Sequence, residues 1–300
     1  QIVKDTAEVT LLLPPGTESH TFEPTPSDII KISNADLFLY TGQYMEPWAS
    51  TIADSIENKN LDIIDVSKGV VFQREGQILE EFACDCGDCD CGCCEEHDEH
   101  HEDAHHHEHH EHHEDAHHHE HEHMHGYDPH VWLNPGFADI MIDNITKAIC
   151  DKDPDNKDFY QNNAQEYKQK LKQVNVQTRQ VVDNAKRKTI VFGGRFAHLY
   201  FIKYYGLDYI SAFDSCSAES EPSVQKLVSI IDFIKQNNIP CVYYEELSEP
   251  KVATSIAEQT HIKTLKFNTA HNVSKEQLEN GITFLDILKE NLENLKVGLN

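Results

Sequence analysis

Between Cys84 and His125 the chain has almost nothing from which to build a core. That window holds 16 of the 21 histidines, six of the nine cysteines and 15 of the 52 acidic residues of the 300-residue sequence, and none of its 25 lysines and arginines. Such a composition cannot bury enough apolar surface to offset the entropy of ordering the chain. Residues 80–125 are therefore expected to form a long disordered insertion, and whatever folds must do so from the sequence on either side.

The window also accounts for much of the charge. The formal net charge is −27, and its concentration in one segment points to a cation-binding tract over a uniformly acidic surface. Nucleic acid is excluded as a partner, because phosphate binding needs clustered Lys and Arg that this chain lacks. Outside Cys84–Cys94 the cysteines are Cys150, Cys216 and Cys241. That is neither a spaced disulfide framework nor a cytosolic scatter. No apolar run is long enough to span a bilayer as a helix.

On both sides of the tract, short apolar runs alternate with helical segments, which favours parallel sheets. In the first part, strands are predicted at Glu8–Leu13 and Leu37–Tyr40, with a helix starting after the Pro24–Asp28 turn. Residues 155–186 are polar and helix-prone, with Tyr160, Tyr167, Leu171, Val174 and Val181 near helical spacing. A helix of about thirty residues spans about 45 Å, which suits a rigid strut. The last part predicts strands at Thr189–Phe192, Tyr209–Ala212, Cys241–Tyr244 and Lys263–Phe267. Helices are expected at Phe196–Tyr205, Val224–Gln236, Val252–Thr260 and Leu278–Leu299. The fold class is thus α/β, with two α/β lobes of mostly parallel sheet joined by one long rigid helix. The boundaries are 1–153 for the N-terminal lobe with its insertion 80–125, 154–187 for the linking helix, and 188–300 for the C-terminal lobe. Gln1-Ile2-Val3-Lys4-Asp5 lacks an initiating Met, a basic region and an apolar stretch. It reads as a helix end running into a strand, so the first lobe is expected to be truncated at its start.

The tract is a metal-collecting composition. Neutral imidazole is the commonest zinc ligand among side chains, carboxylates assist it, and thiolates suit zinc and Cu(I). Cys84, Cys86, Cys89, Cys91, Cys93 and Cys94, with His105, His106, His107, His117, His118 and His119, represent it. A purification tag or solvated filler would also be His-rich, but a tag is normally terminal and uninterrupted. Outside the tract, His20 stands in a loop after a predicted strand, the place where open α/β folds bind ligands. On its own a single loop histidine is more often simply solvated. His130 follows the tract directly and could simply pack beside Trp132.

Two longer motifs sharpen this. Pro15-Gly16-Thr17-Glu18-Ser19-His20-Thr21-Phe22-Glu23-Pro24-Thr25-Pro26-Ser27-Asp28 resembles the first metal-ligand motif of the zinc and manganese ABC-transporter solute-binding proteins. Asp128-Pro129-His130-Val131-Trp132 resembles their second, which in zinc members commonly follows an acidic His-rich loop. The resemblance covers the chain from Gln1 to Asn300 apart from the tract. It implies two α/β lobes, a backbone helix between them, and a metal in the interlobe cleft held by His20 and His130. The sequence departs from the family at the third ligand, where Arg195 stands and cannot coordinate, because its guanidinium stays protonated. His198, one helical turn on, could substitute for it or could merely pack against the sheet. At the fourth, Asn268 stands near the expected acidic position, and His271 on the next loop is the expected ligand. Glu245 and Glu246 are possible additional or supporting carboxylates. Cys216, Glu219 and Glu221 are reserves, and His261 is expected to cap a helix in solvent.

What the resemblance implies is an extracytoplasmic receptor, periplasmic or lipid-anchored at a cell surface, that delivers Zn2+ to the membrane permease of an ABC importer. A monomer is expected. Zn2+ is preferred over Mn2+ because the ligand set is imidazole-rich and manganese favours oxygen. The chain is read as no enzyme: it has no His-Glu-x-x-His arrangement and no nucleophile elbow. The alternative is a metal-buffering or storage protein that acts through its Cys/His tract.

Overall fold

The structure is a computed structural model. It describes residues 1–17, 19–74, 126–213, 221–247 and 249–300, without the side chains of 53–55. The Cys84–His125 tract with all its candidate ligands lies outside the described residues, as do Cys216 and Glu219.

The first lobe begins with an irregular stretch and then α1 (Pro26–Ser33), which starts where Thr25 and Asp28 cap each other and Pro26 supplies a pre-set φ. Two parallel strands follow, β1 (Leu37–Tyr40) and β2 (Asp62–Asp65), paired from Leu37↔Asp62 to Tyr40↔Asp65 and connected through α2 (Pro47–Ser55). A short antiparallel clasp joins β3 (Gln73–Arg74) to β4 (Tyr127–Asp128), so the two stretches flanking the tract are held side by side. α3 (Pro135–Lys152) is capped by Asn134, whose side chain accepts from the Gly136 and Phe137 N–H groups. It buries Ala138, Met141, Ile142 and Ala148 at helical spacing.

α4 (Lys157–Asp183) runs for 27 residues, about 40 Å at 1.5 Å per residue. Tyr160 and Ala164 near its start pack with Ile142 and Cys150 of α3. Val182 at its end packs with Ile190, Leu295 and Leu299 of the second lobe. One helix therefore anchors in both halves.

The second lobe is a four-stranded parallel sheet in the order β6-β5-β7-β8. Its strands are β5 (Thr189–Phe192), β6 (Asp208–Ser211), β7 (Cys241–Tyr244) and β8 (Lys263–Lys266). α5 (Leu199–Tyr205), α6 (Val224–Asn237) and α7 (Lys251–Thr260) connect them, and α8 (Lys275–Glu279) and α9 (Phe284–Leu299) close the chain. β5 sends the chain first to β6 and then past itself to β7, so the strand order reverses beside β5, the crevice where such sheets bind ligands. One apolar cluster crosses between the lobes, joining Val66, Val131, Leu133 and Met141 to Phe192, Phe201, Phe267 and Leu295.

Three sequence expectations need correction. Glu8–Leu13 is not a strand: Val9 is 77% and Leu11 54% exposed, and no ladder holds the segment, so its β-rich composition has nothing to pair with. α5 begins at Leu199, not Phe196, with His198 at its N-cap; Phe196 stacks on Tyr209 instead. The closing helix is broken in two, because Gly281 adopts a left-handed φ of 69° and Thr283 caps a new start with Asp286.

Candidate metal centre

His130 is delivered by the β3–β4 clasp. It follows Asp128 by two residues and is completely buried. Asp128 Oδ1 accepts from the His130 backbone N–H at 2.8 Å and lies 2.6 Å from Nδ1 of its ring. That contact occupies Nδ1 and leaves Nε2 as the outward-facing donor atom. Tyr200 of α5 braces the arrangement from the other lobe, accepting from the Gln73 N–H and donating to the Asp128 carbonyl, each at 2.8 Å.

His271 lies in the loop after β8. Asn291 of α9 accepts from the Asn268 N–H and donates to its carbonyl, holding the strand end. The Asn268 side chain accepts from the Ala270 N–H at 2.7 Å, which folds the loop through Ala270 at a left-handed φ of 59°. Thr269 Oγ1 then sits 2.7 Å from His271 Nδ1 and donates to Glu246 Oε1. His271 Nε2 is buried without a hydrogen-bond partner.

His20 comes from the loop before α1. Asn272 donates to the carbonyls of Pro14 at 2.8 Å and Thr17 at 3.0 Å, and the Gly16 N–H donates to Val273 O at 2.9 Å. The loop with His20 is thus stitched to the loop with His271. Gly16 has a φ of 78°, a turn that disfavours residues with a side chain.

The three rings meet at one point. One ligand atom each from His20, His130 and His271 lies within 4.8 Å of the others. The Nε2 atoms of His20 and His130 are 3.3 Å apart. Two nitrogens on one tetrahedral zinc, each at 2.0–2.1 Å, would lie about 3.3–3.4 Å apart, so this pair already has the bite that zinc needs. Trp132 stands edge-on to both His130 and His271, each ring 5.5 Å away. Its indole N–H donates to the Thr269 carbonyl at 2.8 Å, so it walls the site and ties the two lobes together.

Electrostatics suit a cation. Burial holds the His130 and His271 imidazoles well below their ordinary range, and neighbouring imidazoles lower them further. Both are therefore neutral at physiological pH, the form that coordinates metal. Burial pushes the Asp128 carboxyl up to about 7, against the bond from the His130 backbone. A cation on His130 Nε2 favours the proton on Nδ1 and the charge on Asp128.

The other sequence candidates are placed differently. His198 is fully buried, stacked on Phe192 at 5.1 Å between ring centroids and tilted against Phe267. No hydrogen bond reaches either ring nitrogen. Burial first, and then His130, hold it down to about 3, against a weak opposing pull from the Asn268 backbone that falls short of a well-formed hydrogen bond. It is not among the residues that meet at the His20–His130–His271 point. Arg195 is exposed, and its backbone N–H donates to Glu245 Oε1 at 3.1 Å. Glu245 thereby faces the β5–α5 loop, while Glu246 lies under His271. Burial raises both carboxyls. Glu221 is exposed, and His261 ends α7 as an exposed left-handed cap. Thr269 and Asn272 went unrecognised in the sequence. The available signal was local: Thr269 precedes His271 by two residues, as Asp128 precedes His130.

Comparison with known proteins agrees with this chemistry. The family described as "Zinc-uptake complex component A periplasmic" (ZnuA) matches residues 1–298. The chain is 36% identical over 299 residues to the high-affinity zinc uptake system protein ZnuA of Bacillus subtilis (strain 168), covering 100% of this chain and 83% of that protein. It is 29% identical over 296 residues to the zinc-binding lipoprotein AdcA of Streptococcus pneumoniae (strain R6), covering 99% of this chain but only 52% of that longer protein. The crystal structure of the metal-dependent lipoprotein YcdH from Bacillus subtilis superposes with a TM-score of 0.74 at 31% identity, covering 100% of this chain and 94% of that one.

Proposed function

The chain belongs to the ZnuA family of zinc-uptake components, and from that premise we propose that it is an extracytoplasmic receptor that captures Zn2+ and delivers it to the permease of an ABC importer. Residues 1–153 and 188–300 are the two lobes, and 154–187 the strut between them. His20, His130 and His271 are the ligands. The observation that carries this reading is their convergence, with one donor atom each inside 4.8 Å. Three imidazoles favour zinc over manganese.

His198 is the fourth ligand, reached by a small movement of the α5 start. Its support is that both ring nitrogens are buried without a partner, a costly state that a metal bond would relieve. With four protein ligands no place remains for the bound water that zinc hydrolysis requires, which makes this a carrier and not a catalyst. The apolar cluster shared by both lobes disfavours wide opening, so zinc enters and leaves by movement of the His20 and His271 loops. The tract 84–125 is a weak zinc collector.

Zinc titration by calorimetry, on the full chain and on one lacking residues 84–125, tests the reading. One tight site is expected in both, abolished by His20→Ala, His130→Ala or His271→Ala. Loss of all tight binding with the tract would instead make the protein a metal buffer.

A further inference from the structure

The two buried histidines of the cluster are held by the same local device. Each has, two residues upstream, a side-chain oxygen against its Nδ1: Asp128 for His130 at 2.6 Å, Thr269 for His271 at 2.7 Å. The same oxygen also accepts from the histidine's own N–H, at 2.8 Å for His130 and 3.4 Å for His271. The devices differ in one respect. Asp128 brings a carboxylate directly to the ring, whereas a threonine hydroxyl is neutral and can donate or accept. Left to itself, Thr269 would not decide which nitrogen of His271 carries the proton.

Glu246 removes that freedom. Its Oε2 accepts from the Thr269 N–H at 2.7 Å, and its Oε1 accepts from the His271 N–H at 3.2 Å and from the Thr269 hydroxyl. A carboxylate is an acceptor only, so the Thr269 proton points at Glu246. The remaining lone pairs of Thr269 Oγ1 can then only accept, and the proton must sit on His271 Nδ1. Nε2 is left with a bare lone pair, buried and without a partner, facing the rings of His20 and His130 at centroid distances of 4.9 and 4.4 Å. The two Glu246 oxygens are engaged by three N–H and O–H donors of the His271 loop, which argues against Glu246 as a direct metal ligand.

We infer that Glu246 and Thr269 are positioning residues for zinc capture, a carboxylate–hydroxyl–imidazole relay that fixes His271 in its Nδ1–H tautomer with Nε2 aimed at the metal. The inference rests on His271 being a ligand, as proposed above. In the relay the negative charge lies one hydrogen bond further from the ring than at His130. It therefore orients His271 while leaving it a weaker donor than the aspartate-backed His130.

The test uses the full chain, with Thr269→Val, Thr269→Ser, Glu246→Gln and His271→Ala. Zinc affinity is measured by competition with a chelator, and the tautomer of His271 by 15N NMR of the zinc-free protein. Thr269→Val and Glu246→Gln are expected to lose about 10–100-fold in affinity, as when the partner of a metal-bound histidine is removed. Thr269→Ser should stay within about threefold of the native value, since it keeps the hydroxyl. The native and Thr269→Ser proteins should show the Nδ1–H form, and Thr269→Val and Glu246→Gln a mixture. Native-like affinity in Thr269→Val overturns the relay. So does loss confined to Glu246→Gln, which would make Glu246 a ligand in its own right. If Thr269→Val does not fold, an unchanged His271 tautomer in Glu246→Gln overturns it equally. A silent His271→Ala variant removes the ligand assignment, and the relay with it. A damaging His271→Ala beside a silent Thr269→Val removes the relay alone.

Discussion

Asn272 donates its side-chain amide to the Pro14 carbonyl at 2.8 Å, and this bond, one residue from His271, ties the loops that carry His20 and His271 with protein atoms alone. The same amide reaches Thr17 O at 3.0 Å. On the proposed ligand set, a metal would meet donors already held near one another, and little of its binding energy would go into bringing loops together. Asn272→Ala removes both bonds, and at about 1 kcal/mol each the expected loss is roughly 5–30-fold in zinc affinity. Chelator competition measures it; unchanged affinity would show that the stitch is incidental.

Asp128 holds the ring of His130 and touches no other imidazole of the cluster through a hydrogen bond. Asp128→Asn keeps the shape but offers the ring either an amide N–H or a neutral oxygen. Zinc affinity should fall about 10–100-fold while the circular dichroism spectrum stays native.

His198 predicts opposite effects on stability and binding. Replacing it with Leu removes two buried nitrogens that have no partner and fills similar space. The zinc-free protein should melt a few degrees higher, in line with about 1–3 kcal/mol for an unsatisfied buried polar group. Zinc affinity should fall if His198 closes the coordination shell. Higher melting with native affinity would leave a three-histidine site.

Glu46 provides a pH signature away from the metal. Its carboxylate accepts the Thr41 N–H at 2.9 Å, yet burial raises it from 4.5 to about 7, with Asp65 adding to the shift. The folded state thus holds the Glu46 proton more tightly than the unfolded chain. The associated stability is complete below pH 4.5 and declines as pH rises through 7, by at most about 3 kcal/mol. Glu46→Gln should therefore melt higher than the native protein at pH 8 and no higher at pH 4.5. Thermal melts at the two values check the sign.

Gly193 lies where β5 meets α7. A Cβ there would stand 2.5 Å from Ala253 Cα and 2.9 Å from Ala253 N, backbone atoms that cannot move without shifting the helix. Gly193→Ala should cost about 1–3 kcal/mol, read as a lower denaturation midpoint with an unchanged slope.

The elements were legible where local physics decides them. Pro26 after Thr25 starts α1, the polar stretch with its narrow apolar stripe makes α4, and the apolar runs at 189–192 and 241–244 become buried parallel strands. Glu8–Leu13 has the composition of a strand but no partner, and a strand exists only through pairing. The break at Gly281 went unseen because the apolar spacing continues across it. His20 and His130 stood out as candidates because each sits in a long motif with few other uses, and the structure brings both to one point.

The sequence by itself determined the two-lobed α/β class, the strut, and the imidazole-rich chemistry, since these depend on periodicity, composition and residue type. Tertiary structure alone decided which histidines share a point. His130 and His271 are 141 positions apart; the β3–β4 clasp, the Asn291 bracket and the Trp132–Thr269 bond bring them within reach, and the Asn272 stitch adds the His20 loop. It also decided how each ring is oriented. A histidine offers two nitrogens, and the one that faces a metal is chosen by what the other one touches. For His271 that partner is Thr269, and behind it Glu246 from the turn after β7.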